Sequence, residues 1–444
     1  MDNTWDPTWL PSEFDQLTPA GMRQQYVLGR IEREEYTKRF GDEFLVNSFD
    51  PKKVYVRSTN TERTIMSALA HLYGLFEGEG DAEKMETTSV GLPPFANKEL
   101  IDKINLKLKG TSTLPFQYLP FPVFTVSNET DKELLAEYTC SSFEQWRQEN
   151  INSEAFKHMM SRFQTTFDIL ETEGFVLNDW ESLKDFADTL IVDHNDNRTL
   201  PGVREWNSSV IQDIIFLYNW GSVFTRFGQE KQRQTLATPL LNSVLEMIEG
   251  SINGSLNKQL VVLSGHDSSL LTFLTGLGIV TADCLKANFL NMRLNGIEMY
   301  PNCQYPNFAA SVRIEVYKEN EDYIRLFYNG NEVNLCENNC TYKEFEKIIK
   351  EKTNNTRIGE YDLLCNNTRI EGVLLKGSGL IMKQLQEFNV MWLFGGIMVL
   401  IVIFNIWEIR KCVKESRKRN KRRFESLIHS LHRDDIDTLD TIWL

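Results

Sequence analysis

Apolar positions mark out the first elements of the chain. In TERTIMSALAHLYGLF, residues Ile65, Leu69, Leu72 and Phe76 recur on one face at helical spacing. A helix is therefore predicted over Thr61–Phe76. Upstream, Thr18-Pro19 joins a capping threonine to a proline at the first helical position, which predicts a helix running to Phe40. Between them KVYVR, Lys53–Arg57, is a short β-branched run and reads as a strand. A second unit of the same kind comes late. QLVVL, Gln259–Leu263, is an unbroken apolar run, the pattern of a strand buried on both faces. SGHDSS follows it, and then an apolar helix, LLTFLTGLGI. The stretch Ser142–Glu249 is helical and polar-patterned, with several tryptophans and few strand signals. Past Val280, SVRIEVY and YIRLFYN predict a terminal antiparallel hairpin. The expected fold is α/β, a mainly parallel-sheet core with an inserted, mostly helical cap. Residues 1–141 would form the first part of the core, 142–249 the cap and 250–370 the second part.

One further segment belongs to neither core nor cap. Phe388–Trp407, FNVMWLFGGIMVLIVIFNIW, is uncharged and long enough as a helix to span a bilayer core of roughly 30 Å. Nine Lys or Arg follow it between Arg410 and Arg423. By the positive-inside rule residues 408–444 are a cytoplasmic basic tail, and the body is lumenal or extracellular. The seven Asn-X-Ser/Thr sequons, at Asn128, Asn197, Asn207, Asn253, Asn339, Asn354 and Asn366, all precede the span. So do six of the seven cysteines, Cys140, Cys284, Cys303, Cys336, Cys340 and Cys365, an even number that suggests three disulfides. Counting leaves fifteen pairings open. The net charge of −14 falls on the body, because the tail is basic. An acidic body argues against nucleic acid as the partner, and any phosphate it binds needs a local positive pocket. Residues after Met1 show no basic start and no apolar stretch of a signal peptide.

Chemistry is suggested by the two strand–loop–helix junctions. Ligands of parallel sheets bind at the carboxyl ends of strands, where helix N-termini present unpaired N–H groups to anions. The first junction offers Arg57-Ser58-Thr59 and the second Ser264-Gly265-His266-Asp267. An arginine fork and a histidine at a helix start suit a phosphate dianion. Asp267 beside them suits general-acid work on a leaving group. Alone, an arginine after a strand is more often a surface residue, and a His-Asp pair more often a helix cap. Equivalent positions in two βα units weigh for function. Arg63, deeper in its helix, reads as structural; His71 and His158, within predicted helices, read as packing or surface residues, and His194 has no motif support. No metal site, P-loop, G-x-S-x-G or dinucleotide fingerprint is present, and no cofactor is expected.

DQLTPAGMRQQYVLG, VYVRSTNTERTIMSALAHLYGLF and VVLSGHDSSLLTFL, in that order, resemble the histidine acid phosphatases of the lysosomal and prostatic type, from about Trp9 to Cys365. The resemblance implies phosphate-monoester hydrolysis through a phosphohistidine. Arg57 and His266 would bind the phosphoryl group, and Asp267 would protonate the leaving alcohol. It also implies the pairs Cys140–Cys365 and Cys336–Cys340, and Cys284 in place of the cap cysteine that usually partners Cys303. The family's Arg-His-Gly-x-Arg motif, which carries the nucleophile, is not found. None of His71, His158, His194, His266, His429 and His432 is preceded by Arg and followed by Gly. An incomplete start would account for the missing motif and the missing signal peptide together. Two readings stay open: an acid phosphatase acting on small phosphate monoesters or phosphoproteins, and an inactive phosphatase-like ectodomain that binds without turnover. A third makes the chain a structural membrane glycoprotein whose basic stretch is its working part. Related ectodomains often pair, so a homodimer is among the expected partners. The tail holds no tyrosine, which excludes a Tyr-based lysosomal signal and leaves lysosome, other vesicle or cell surface open.

Overall fold

Two glycines set how closely the first pair of helices can cross. Helix α1, Pro19–Phe40, starts where Thr18 accepts a hydrogen bond from the N–H of Gly21. It is followed by strand β1, Val54–Thr59, and helix α2, Glu62–Leu75. At Gly29 of α1 a Cβ would lie 2.2 Å from the carbonyl oxygen of His71, and at Gly74 of α2 one would lie 2.0 Å from that of Tyr26. Only glycine lets the two backbones meet this closely. His71, between them, faces Glu32 at 3.2 Å. Under the pair, Val54, Val56, Ala68, Leu72, Leu75 and Phe121 form one hydrophobic cluster.

This computed structural model describes residues 5–10, 13–41, 49–76, 120–198, 202–318, 321–337, 339–356 and 358–367. The sequence-predicted membrane span, Phe388–Trp407, and the basic tail lie outside the described residues. Among the described residues no single helix is long and apolar enough to cross a membrane.

After β2, Phe124–Val126, the chain turns helical: α3, Ala136–Thr139; α4, Phe143–Ile151; α5, Glu154–Ser161; α6, Gln164–Thr172; α7, Trp180–Asn195; α8, Ser209–Phe227; and α9, Glu230–Asn253. Phe156, Leu183, Phe186, Ile214, Leu217 and Trp220 build a separate aromatic-rich core among α5, α7 and α8. Helix α8 leaves that core at its far end, where Val223 and Phe227 join the main one. The same main core holds Leu236, Ala237 and Leu241 of α9, so α9 packs with the body rather than among the preceding helices.

Strand β3, Leu260–Ser264, then leads into α10, Asp267–Leu277, and α11, Ala282–Asn295. Three parallel strands form the first sheet in the order β2-β1-β3. The α/β fold with a parallel sheet agrees with the sequence reading. Burial of β3 does not: all five of its residues are half-exposed. It closes this sheet among the described residues instead of lying within it, and an edge strand is not covered on every side. The predicted hairpin forms from β4, Val312–Tyr317, and β5, Tyr323–Tyr328, paired antiparallel. Two short strands, β6, Asn331–Val333, and β7, Cys340–Thr341, share the edge of β5 opposite β4. Helices α12, Tyr342–Lys352, and α13, Ile358–Leu364, complete the described body. Arg39 and Arg313 grip Glu35 and Glu315 and so tie α1 to β4.

The cysteines form the three pairs the resemblance implied. Cys140 is bonded to Cys365, 225 residues away, Cys284 to Cys303 and Cys336 to Cys340. Three disulfides within one body fit an oxidising compartment.

Candidate active site

Parallel pairing of β1 and β3 sets Arg57 beside Leu263 and Ser58 beside Ser264. Both strands therefore end at the same level, and both junctions open on one edge of the sheet. Hydroxyl groups staple them together. The Ser264 hydroxyl donates to the carbonyl of Thr64 at 2.8 Å. Thr59 Oγ1 lies 3.1 Å from His266 Nε2 and 2.8 Å from Thr64 Oγ1.

His266 is the residue before the first turn of α10, and its N–H donates to Ser269 Oγ at 3.1 Å. Ser269 in turn donates to the carbonyl of Leu134 at 2.6 Å. His266 borders an open cleft of about 460 Å³ whose other walls include Asp15, Asn60, Arg63, Asn128 and Tyr138. Burial, reinforced by the Arg63 cation, holds the imidazole below its ordinary value of 6.5, against the pull of Asp267 and Asp131. Arg63→Gln is expected to raise the His266 pKa, read from the imidazole carbon shifts in an NMR titration. An unmoved or lowered value would show that the guanidinium does not act on the ring.

The residues predicted for phosphate do not all meet at the cleft. Arg57 is buried, and its guanidinium pairs with Asp131 and Glu133 from the loop after β2. It is absent from the cleft walls among the described residues, while Arg63 is present and 40% exposed. Arg63 is the second residue of α2, so its side chain sits at the helix mouth rather than deep in the helix. That position was readable from the sequence. Two buried polar atoms beside Arg57, its own Nε and Asp131 Oδ2, have no hydrogen-bond partner.

Asp267, the first residue of α10, points to a different set of groups. Its Oδ2 accepts a hydrogen bond from the buried Tyr305 hydroxyl at 2.5 Å. The Tyr305 ring meets Tyr218 of α8 edge-on, with centroids 5.6 Å apart. Near them Arg226 of α8 lies 3.7 Å from Glu137 of α3. Burial disfavours the Arg226 charge, but Glu137, Tyr305 and Asp267 together keep its pKa above the ordinary range. Burial raises Tyr305 too, and the Asp267 carboxylate adds to the shift. Asp188 of α7 is likewise raised by burial and then by Asp267. The Asp267 carboxylate thus acts on two tyrosines, a guanidinium and two further acids. No local motif announces Tyr305, Tyr218, Arg226, Glu137 or Asp188, because they come from four separate stretches, Tyr218 and Arg226 sharing α8.

The other described histidines do not wall this cleft. His158 lies in α5, and His194, in the last turn of α7, stacks on Trp206 at 3.9 Å. His429 and His432 lie outside the described residues. Among the described residues no group of three or more His, Cys, Asp or Glu is placed to hold a metal ion.

Comparison with known proteins adds relatives to this geometry. The model of the family described as histidine phosphatase superfamily (branch 2) matches residues 1–329. Putative acid phosphatase 5 of Caenorhabditis elegans is 26% identical over 366 residues, covering 78% of this chain and 71% of that protein. Prostatic acid phosphatase of Bos taurus is 25% identical over 363 residues, 78% of each. Lysosomal acid phosphatase of Rattus norvegicus is 27% identical over 278 residues, 61% of this chain and 56% of that one. Among solved structures, the apo form of the Hafnia alvei phytase superposes with a TM-score of 0.52 at 11% identity, covering 78% of this chain and 89% of that one. At that identity the likeness is one of fold.

Proposed function

The chain belongs to the histidine phosphatase superfamily, branch 2, and on that premise we propose that it hydrolyses phosphate monoesters as an acid phosphatase. The observation that carries this reading is the placing of the His266-Asp267 pair. It stands at the start of α10, level with the end of β1, with His266 on the open cleft and the Asp267 carboxyl held by Tyr305. In the two-step reaction that the resemblance implies, a histidine nitrogen attacks phosphorus, and the P–O bond to the alcohol breaks as an acid beside the phosphate-facing imidazole protonates the leaving oxygen. Water then cleaves the P–N bond. Asp267 takes the part of the acid. His266 and the α10 N-terminus supply hydrogen-bond donors to the phosphoryl oxygens. Helices α4 to α8, which hold the separate aromatic-rich core ahead of α9, serve as the cap that shapes leaving-group choice.

A second reading is binding without turnover. It is favoured by the pairing of Arg57 with Asp131 and Glu133, and by the fact that no histidine of the 444 residues stands in an Arg-His-Gly-x-Arg motif. In either case the topology is a lumenal or extracellular body, a span at Phe388–Trp407 and a cytoplasmic tail. The three disulfides and the seven sequons ahead of the span support that arrangement. Its compartment is lysosomal, vesicular or the cell surface.

The deciding assay uses the full-length native glycoprotein. Release of p-nitrophenol from its phosphate ester at about pH 5 supports the hydrolase. Saturable binding of inorganic phosphate without release supports the binding reading. If neither is seen, both fail.

A further inference from the structure

One sequon asparagine stands where a glycan would bear on the site. Asn128 follows β2 by two residues and lines the same cleft as His266. The other described sequon asparagines, Asn197, Asn207, Asn253, Asn339, Asn354 and Asn366, are not among the residues that wall this cleft. Asn128 is exposed, in a turn closed by hydrogen bonds from the N–H groups of Thr130 and Asp131 to the carbonyl of Ser127. Its Nδ2 also reaches the carbonyl oxygen of Asn60, on the β1–α2 junction, at 3.4 Å. An amide nitrogen carries two hydrogens. One can make this contact while the other is replaced by the first sugar, so the contact orients the linkage as well as tolerating it. Tyr138, 78% exposed on the same cleft, offers a bare aromatic ring beside it.

We propose that Asn128 carries an N-linked glycan, and that this glycan stands over the cleft mouth as a size filter. Small phosphate monoesters pass it, whereas a phosphoryl group on a folded protein surface does not reach His266. The physical basis is steric. An N-glycan is bulky and hydrated, and it would be anchored on the wall of a cleft of about 460 Å³. A small ester needs only a gap between glycan and wall, but a protein must bring its whole surface to the rim. The filter rests on the phosphate-ester reading of the cleft and on a lumenal body. It chooses between the two substrate classes that reading leaves open.

Glycopeptide mass spectrometry of the protein secreted or displayed by an animal cell comes first. An unmodified Asn128 overturns the proposal. If it is occupied, two preparations are compared with the native protein. Thr130→Ala destroys the sequon while leaving Asn128 itself, and endoglycosidase trimming of the folded protein to one sugar guards against a folding defect in the variant. Both should leave kcat/KM for p-nitrophenyl phosphate unchanged and raise that for phosphorylated casein by roughly tenfold or more. Equal changes on both substrates, or none on casein, overturn the filter. If no preparation turns over either substrate, the hydrolase reading falls by itself. The filter is then judged by binding: tighter capture of phosphorylated casein after trimming, with inorganic phosphate unaffected, sustains it, and unchanged capture overturns it.

Discussion

Asp267→Asn is expected to lower kcat for an alkyl phosphate by roughly 10²–10⁴-fold, and for p-nitrophenyl phosphate by much less. The asymmetry follows from where charge goes. An alkoxide is a poor leaving group and needs a proton in the transition state, whereas p-nitrophenolate spreads its charge over the ring and can leave without one. Asparagine keeps the shape of the side chain and an oxygen to accept the 2.5 Å bond from Tyr305, so the local structure should persist. Only the transferable proton is lost. The measurement is kcat for native and variant across phosphate esters of graded leaving-group basicity. A steeper dependence in the variant identifies Asp267 as the donor. A loss of the same size on every ester would instead give it a positioning role, and no loss at all would remove it from the mechanism.

The first half of that site could be read from the chain because its signals are local. Thr18-Pro19 fixed the start of α1, β-branched residues marked β1, and the Ser264–Asp267 run sits between a strand and an apolar helix. Parallel pairing then brings the two junctions level without further information. What could not be read is where long side chains turn. Arg57 leaves a strand end as a phosphate ligand should, yet Asp131 and Glu133 fold back to it from 74 and 76 residues away. Nothing within Asp131-Lys132-Glu133 announces that return.

Some misses have other causes. Helix α11 keeps Leu290, Met292 and Leu294 exposed, so its apolar residues mark no single face. Helix α12, by contrast, carries a legible start. Thr341 and Glu344 form a capping box ahead of the buried Phe345 and Ile349. The apolar run of β3 shows the limit of composition alone: it reports that a strand is apolar, but not whether neighbours cover both its sides.

The groups behind Asp267 should matter for stability as well as for chemistry. Arg226→Met is expected to destabilise the body by about 3–5 kcal/mol, because it strands the Glu137 carboxylate in a buried site. The Glu137 side chain is only 10% exposed, and its Oε1 already has no hydrogen-bond partner. Burial holds its pKa above the ordinary carboxylate value even with the guanidinium 3.7 Å away. Removing that cation raises the pKa further, so the single variant should recover part of its stability as pH falls and the carboxyl takes up its proton. A group whose folded pKa lies above its unfolded one gains stability on the acid side, and that gain is lost as pH rises through the folded value. Replacing both residues, Glu137→Leu with Arg226→Met, removes the stranded charge together with its partner and should cost much less than the single change. Denaturant unfolding of the native protein and the two variants at neutral and acid pH tests the point. If the double variant is as unstable as the single one, Arg226 acts by packing against Tyr218 and Tyr305 rather than by neutralising Glu137. Its grip on the Asp267 surroundings would then be one of shape, not of charge.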